Sequence, residues 1–120
     1  MGTVDTYLSR RNQLRENIQS GNIQSKNVPD AVLIFGLSSI RYFSGFSGSN
    51  ALLWIDGSDA ARDVLITDGR YTTQARGECP GLTIDIQSSR GSAALCATAA
   101  ERGLHADRLG VDPEFLHSLD

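Results

Sequence analysis

Ile40-Arg41-Tyr42-Phe43-Ser44-Gly45-Phe46-Ser47-Gly48-Ser49-Asn50 is the most informative run in this chain. Downstream it is answered by Leu65-Ile66-Thr67-Asp68-Gly69-Arg70-Tyr71, then Gln74-Ala75. Gly45 and Gly48 suit a backbone that must turn with positive φ or approach a neighbour closely. The aromatic side chains around them suit core. A Gly-x-x-Gly loop that clamps a nucleic-acid backbone needs basic neighbours, and here the intervening residues are Phe46 and Ser47. A phosphate cradle needs the longer glycine spacing with a Lys, which is absent. Asp68-Gly69 marks a turn between a strand and a helix.

Working outward from these two runs gives the element order. Residues 31–35 are continuously apolar and end at Gly36, the pattern of a strand buried on both faces in the middle of a sheet. Residues 37–43 suit a short helix or turn. Residues 51–55 and 64–67 read as two strands of an antiparallel hairpin, joined by a loop built on Asp56-Gly57-Ser58-Asp59. A helix over 70–78 is stopped by Pro80-Gly81, and residues 82–86 form a fourth strand. An Ala-rich helix is expected over 92–102 and a fifth strand over 108–112, with Pro113-Glu114 opening a further helix. Upstream, Val4, Tyr7, Leu8, Leu14 and Ile18 share one helical face that Arg11 interrupts. Gly21 follows as its stop signal. Helices alternating with strands in this order predict an α/β domain with a mixed sheet.

Composition narrows the function. The 120 residues fit one domain, and 40% apolar content is enough for a core without staples. Eleven Lys and Arg are scattered among fourteen Asp and Glu, so there is no basic face for nucleic acid. Arg10-Arg11, the adjacent basic pair, is read as the solvated side of the first helix. No run approaches the roughly 18 apolar residues of a membrane span, and Met1-Gly2-Thr3-Val4-Asp5 lacks the apolar stretch of a secretion signal. A cytoplasmic protein is expected. Cys79 and Cys96 are then two small buried thiols.

Catalytic patterns are missing. His105 and His117 lack zinc-ligand spacing, and no Gly-x-Ser-x-Gly elbow follows a strand. Asp56, Asp59, Asp63 and Asp68 fall in or near turns, where carboxylates cap backbone N–H groups. No catalytic and no metal-binding residue is assigned.

Taken together and in order, the two runs resemble the N-terminal domain of the creatinase/prolidase family of metal-dependent hydrolases. The resemblance rests on Ser39 to Ser49 and on Leu65 to Tyr71. The opening helix, the strand at 31–35, Pro80-Gly81 and Leu109-Gly110-Val111 extend it over nearly the whole chain. Ser39 stands where the family pattern has Asn, and Phe43 where Leu is common.

This resemblance implies a three-layer α/β domain, with a mixed sheet of five to six strands flanked by helices in a ribonuclease H-like motif. It implies a domain over 1–120, truncated at its C-terminal edge, without activity of its own. Two divalent metal ions would belong to a separate catalytic domain, and this chain would hold no cofactor. The implied partners are that C-terminal domain, a second protomer and short proline-containing peptides, with neither nucleic acid nor membrane. The segment 36–42 would border the partner's substrate pocket through Ser38, Ser39, Ile40, Arg41 and Tyr42. Alternatively Tyr42 is packed and Arg41 is paired to Asp68 or another carboxylate. Gly45, Phe46, Gly48, Ser49, Asp68, Gly69 and Arg70 would be structural, with Arg70 and Asp68 fixing the 45–49 loop. The parent is expected to be a Xaa-Pro aminopeptidase or dipeptidase. The other candidates are a creatine-type amidinohydrolase and a peptidase-like binding module that has lost catalysis.

Overall fold

The computed structural model describes residues 4–19, 31–87 and 109–111. Three helices are present there: α1 (Val4–Gln19), α2 (Leu37–Ser44) and α3 (Thr72–Glu78). The strands are β1 (Ala31–Ile34), β2 (Ala51–Asp56), β3 (Val64–Asp68), β4 (Thr83–Gln87) and β5 (Leu109–Val111). Single 3₁₀ turns at Ala60–Arg62 and Gly69–Tyr71 lead into β3 and α3. The five strands form one mixed sheet in the order β4-β3-β2-β1-β5. β1, β2 and β3 are antiparallel in sequence, while β4 and β5 join the two sides in parallel. The hairpin expected over 51–67 is present, with its 3₁₀ turn inside the connection.

β1 and β2 are buried at every position, which is why they read as apolar runs without alternation. Their side chains still alternate between faces with period two. Val32, Ile34, Leu53, Ile55 and Leu65 face a cluster with Ile40, Phe46, Ala75 and Cys79, and Leu14 of α1 packs against it. Ala31, Leu33, Leu52, Trp54, Val64 and Ile66 form the opposite face, which is also buried. Burial on both faces is what a three-layer domain needs. The helix expected over 92–102, the stop at Gly21, Cys96, His105, His117 and the helix opening at Pro113 lie outside the described residues.

α1 departs from the sequence expectation. Its inner face is not simply apolar: Arg11 and Arg15 are only 6% and 5% exposed. Both reach Asp63, whose side chain has no exposure. Arg15 forks onto both carboxylate oxygens, at 2.9 and 3.0 Å. Arg11 Nε adds a bond at 3.0 Å, and the Asp56 N–H donates a fourth at 2.8 Å. Arg15 also donates to the Asp56 carbonyl and to Asn12 Oδ1. Arg11 is therefore no part of a solvated face. Asp63 caps the Asp56 N–H across the turn but is chiefly the partner of the two α1 arginines, whereas Asp56, Asp59 and Asp68 accept from backbone N–H groups close by.

Gly45 adopts φ +83° and ends α2. A Cβ there would also lie 2.7 Å from the Tyr7 ring of α1, so the position combines a left-handed backbone with a tight helix contact.

Three predictions concern stability. Asp63→Asn should cost about 3–5 kcal/mol, because it strands two buried guanidinium groups. Gly45→Ala should cost about 2 kcal/mol or more, from strained φ plus the Tyr7 clash. Gly69→Ala, with no atom within 4 Å of the added carbon, should stay within about 1 kcal/mol of the parent. Urea unfolding midpoints at constant m-value check all three.

Candidate functional site

α2 presents two different sides. Ile40 and Ser44 are buried, and Ile40 lies entirely within the core. Leu37 and Tyr42 are 47% and 52% exposed, with Ser38 and Arg41 also exposed and Ser39 half-buried. Spacings of four residues, Leu37 to Arg41 and Ser38 to Tyr42, put these exposed groups on one helical face. Of the five residues expected to border a pocket, Ile40 thus cannot offer its side chain. Tyr42 is not packed away, and Arg41 does not take Asp68, which Arg70 occupies; its charge acts instead on another carboxylate, Glu78. The short helix or turn expected over residues 37–43 is a helix, α2.

The end of α2 is capped from another helix. The last carbonyls of a helix lack intrahelical donors and carry partial negative charge. Here Gly45 N–H donates to the Arg41 carbonyl at 2.8 Å. Arg10 Nη1 donates to the Tyr42 carbonyl at 2.9 Å, and Arg11 Nη1 to the Phe43 carbonyl at 2.8 Å. Ser44 Oγ donates to the Ile40 carbonyl at 2.6 Å. Both members of the Arg10-Arg11 pair are therefore committed to α2. Their role was missed because both target carbonyls lie 32 residues away. The available signal was Arg11 and Arg15, four apart on a face otherwise apolar.

The following loop is held by a polar network. Glu78 of α3 accepts from the Ser47 N–H at 3.0 Å and from Ser47 Oγ at 2.7 Å. Gln74 donates to Ser47 Oγ and to Glu78. Tyr71 Oη shares a 2.6 Å hydrogen bond with Ser49 Oγ and accepts from the Ser49 N–H at 3.3 Å. Its ring meets Phe46 edge-on at 5.5 Å. A Cβ at Gly48 would run into both Phe46 and Tyr71, so Gly48 serves close approach. Asn50, at the loop's end, donates to Asp68 Oδ2 at 2.7 Å. The Arg70 guanidinium closes on the same carboxylate through two 2.9 Å bonds. Arg70 thus meets the loop indirectly, through Asp68 and through the Tyr71 ring 5.2 Å from its guanidinium, while Tyr71, Gln74 and Glu78 make the direct bonds to Ser47 and Ser49.

These contacts set the protonation states. The Arg70 hydrogen bonds, assisted by Asn50, hold the Asp68 carboxyl well below the usual carboxylate range despite its burial. Burial pushes Glu78 up, but bonds from Ser47 and Gln74 outweigh it and leave its pKa lowered. Ser49 lowers that of Tyr71. Burial pushes the Cys79 thiol up to about 11, so it stays protonated at neutral pH and is a poor nucleophile. Among the described residues, no three His, Cys, Asp or Glu side chains converge to hold a metal ion. No described helix is long and apolar enough to cross a membrane.

Comparison with known proteins agrees with this architecture. The family model described as the creatinase/prolidase N-terminal domain matches residues 10–119. The N-terminal domain of the cytoplasmic peptidase PepQ from Mycobacterium tuberculosis is 38% identical, with a TM-score of 0.67 over 88% of this chain and 74% of that one. The corresponding domain of a metallopeptidase from Corynebacterium diphtheriae is 30% identical, with a TM-score of 0.66 over 91% of this chain and 77% of that one. A Xaa-Pro dipeptidase from Bacillus anthracis shares the fold at 22% identity and a TM-score of 0.71; the match covers 90% of this chain but 27% of the dipeptidase. The uncharacterized peptidase YqhT of Bacillus subtilis is 44% identical over 55 residues, which is 46% of this chain and 15% of that protein. With the family model covering residues 10–119, this chain belongs to the creatinase/prolidase N-terminal domain family.

Proposed function

We propose that this domain is the non-catalytic N-terminal part of a metal-dependent Xaa-Pro peptidase of the aminopeptidase P or prolidase type. In that reading it supports a dimer and borders the partner protomer's substrate pocket with the outer face of α2. The observation that carries it is that α2 exposes Leu37 and Tyr42, each about half exposed, together with Arg41. Exposed large apolar groups gathered on a rigid element are a common mark of an interaction surface. The chemistry would belong to a C-terminal domain carrying two divalent metal ions, and short proline-containing peptides would be the substrates. The peptidases named among the relatives support this reading over a creatine-type amidinohydrolase. The description of the Mycobacterium tuberculosis relative as cytoplasmic supports the same placement for this protein.

A wall that contacts bound peptide without entering the chemistry should be seen in affinity. In the full-length protein, Arg41→Ala should raise KM for a Xaa-Pro peptide about 3- to 10-fold, equivalent to about 1 kcal/mol, with kcat little changed. Steady-state kinetics over a peptide series checks this. Unaltered KM across the series would remove α2 from the pocket.

A further inference from the structure

The Arg10 guanidinium does two things at one place. Its Nη1 donates to the Tyr42 carbonyl at 2.9 Å, and its Cζ lies 4.2 Å from the centre of the Tyr42 ring. It also lies 5.5 Å from the centre of the Tyr7 ring. Tyr42 is in turn braced edge-on against Phe43 at 5.0 Å. A tyrosine with half its surface in water would ordinarily exchange rotamers on the nanosecond scale. This one has a cation against its ring and a neighbour's edge against it. The same cation is tied to Tyr42's own main chain. Arg suits the task because its planar fork can stack and donate at once. The hydrogen bond would cap α2 wherever the ring pointed, so the stacking is a separate constraint on the side chain.

The geometry points to Arg10 as a positioning residue, one that sets the Tyr42 ring for contact with bound peptide. This rests on the reading of α2 as a pocket border. It adds a residue of α1 that would not itself touch substrate.

The test uses the full-length protein and a Xaa-Pro peptide, comparing Arg10→Gln, Arg10→Lys, Tyr42→Ala and the Arg10→Gln/Tyr42→Ala double variant. A cation–aromatic contact at an exposed site corresponds to a factor of about 2–5. Arg10→Gln should therefore raise KM about 2- to 5-fold at constant kcat and with little change in thermal midpoint. Arg10→Lys keeps a cation for the ring and should recover at least half of that loss. The double variant should match Tyr42→Ala alone, since Arg10 would act only through the ring. If Tyr42→Ala leaves KM unchanged, the pocket-border reading fails and takes this inference with it. If Tyr42→Ala raises KM but Arg10→Gln does not, only the positioning role is overturned. Additive effects in the double variant overturn it as well, by giving Arg10 a route independent of Tyr42.

Discussion

A carboxylate without solvent, Asp63, sits between two guanidinium groups of α1. Removing an ion from water costs several kcal/mol even after relaxation, and only good geometry with full hydrogen bonding offsets that. Here the carboxylate receives four donors, three from Arg11 and Arg15 and one from the Asp56 main chain. The guanidinium groups spend further donors on the carbonyls of Asp56 and Phe43. One buried charge therefore fixes the position of α1 relative to β2, β3 and the end of α2. Apolar packing alone would let a helix slide across a sheet at small cost. A forked ion pair does not, because each displaced donor leaves a buried group unsatisfied.

The candidate surface depends on that placement. With α1 set by Asp63, Arg10 and Arg11 arrive at the two carbonyls that close α2, and Tyr7 arrives against Gly45. A bulkier residue at position 45 would push the two helices apart and draw both arginines off their carbonyls. The loop after Gly45 is fixed separately, from the α3 side, by Tyr71, Gln74 and Glu78. α2 and its loop are thus anchored at both ends by groups on different elements. This is how an eight-residue helix, too short to persist alone in water, can hold an ordered exposed face.

Backbone-level features were legible in the sequence because they are local. The apolar run at 31–34 and the Asp56-to-Asp59 turn signal each act within a few residues. So do the positive φ of Gly45 and Pro80-Gly81 after α3. The site residues that were missed act across distance. Asp63 and Arg15 are 48 residues apart, and Arg10 and Tyr42 are 32 apart. An Arg on an apolar helix face has two outcomes, exposure or burial with a partner, and a one-dimensional pattern does not name the partner. The reading of Asp63 as a turn carboxylate was incomplete for the same reason: it accepts the Asp56 N–H across the turn, but its other three donors come from α1. Ile40 shows the converse error. It lies within the motif run, yet helical periodicity turns it inward while Arg41 and Tyr42 turn outward.

The protonation chemistry limits how such a domain can influence a reaction. Asp68 is held ionised by Arg70, and Glu78 is held on the low side by Ser47 and Gln74. Cys79 keeps its proton at neutral pH. A general acid or base works best with a pKa near the working pH, and none of these three groups is moved toward it. What the outer face of α2 presents is shape, an aromatic ring and fixed positive charge. On the proposed reading of α2 as a pocket border, such groups would meet a bound peptide about equally in its ground and transition states, and uniform binding of that kind changes KM rather than kcat. On that same reading the domain would act on which peptides are held and not on the breaking of the bond.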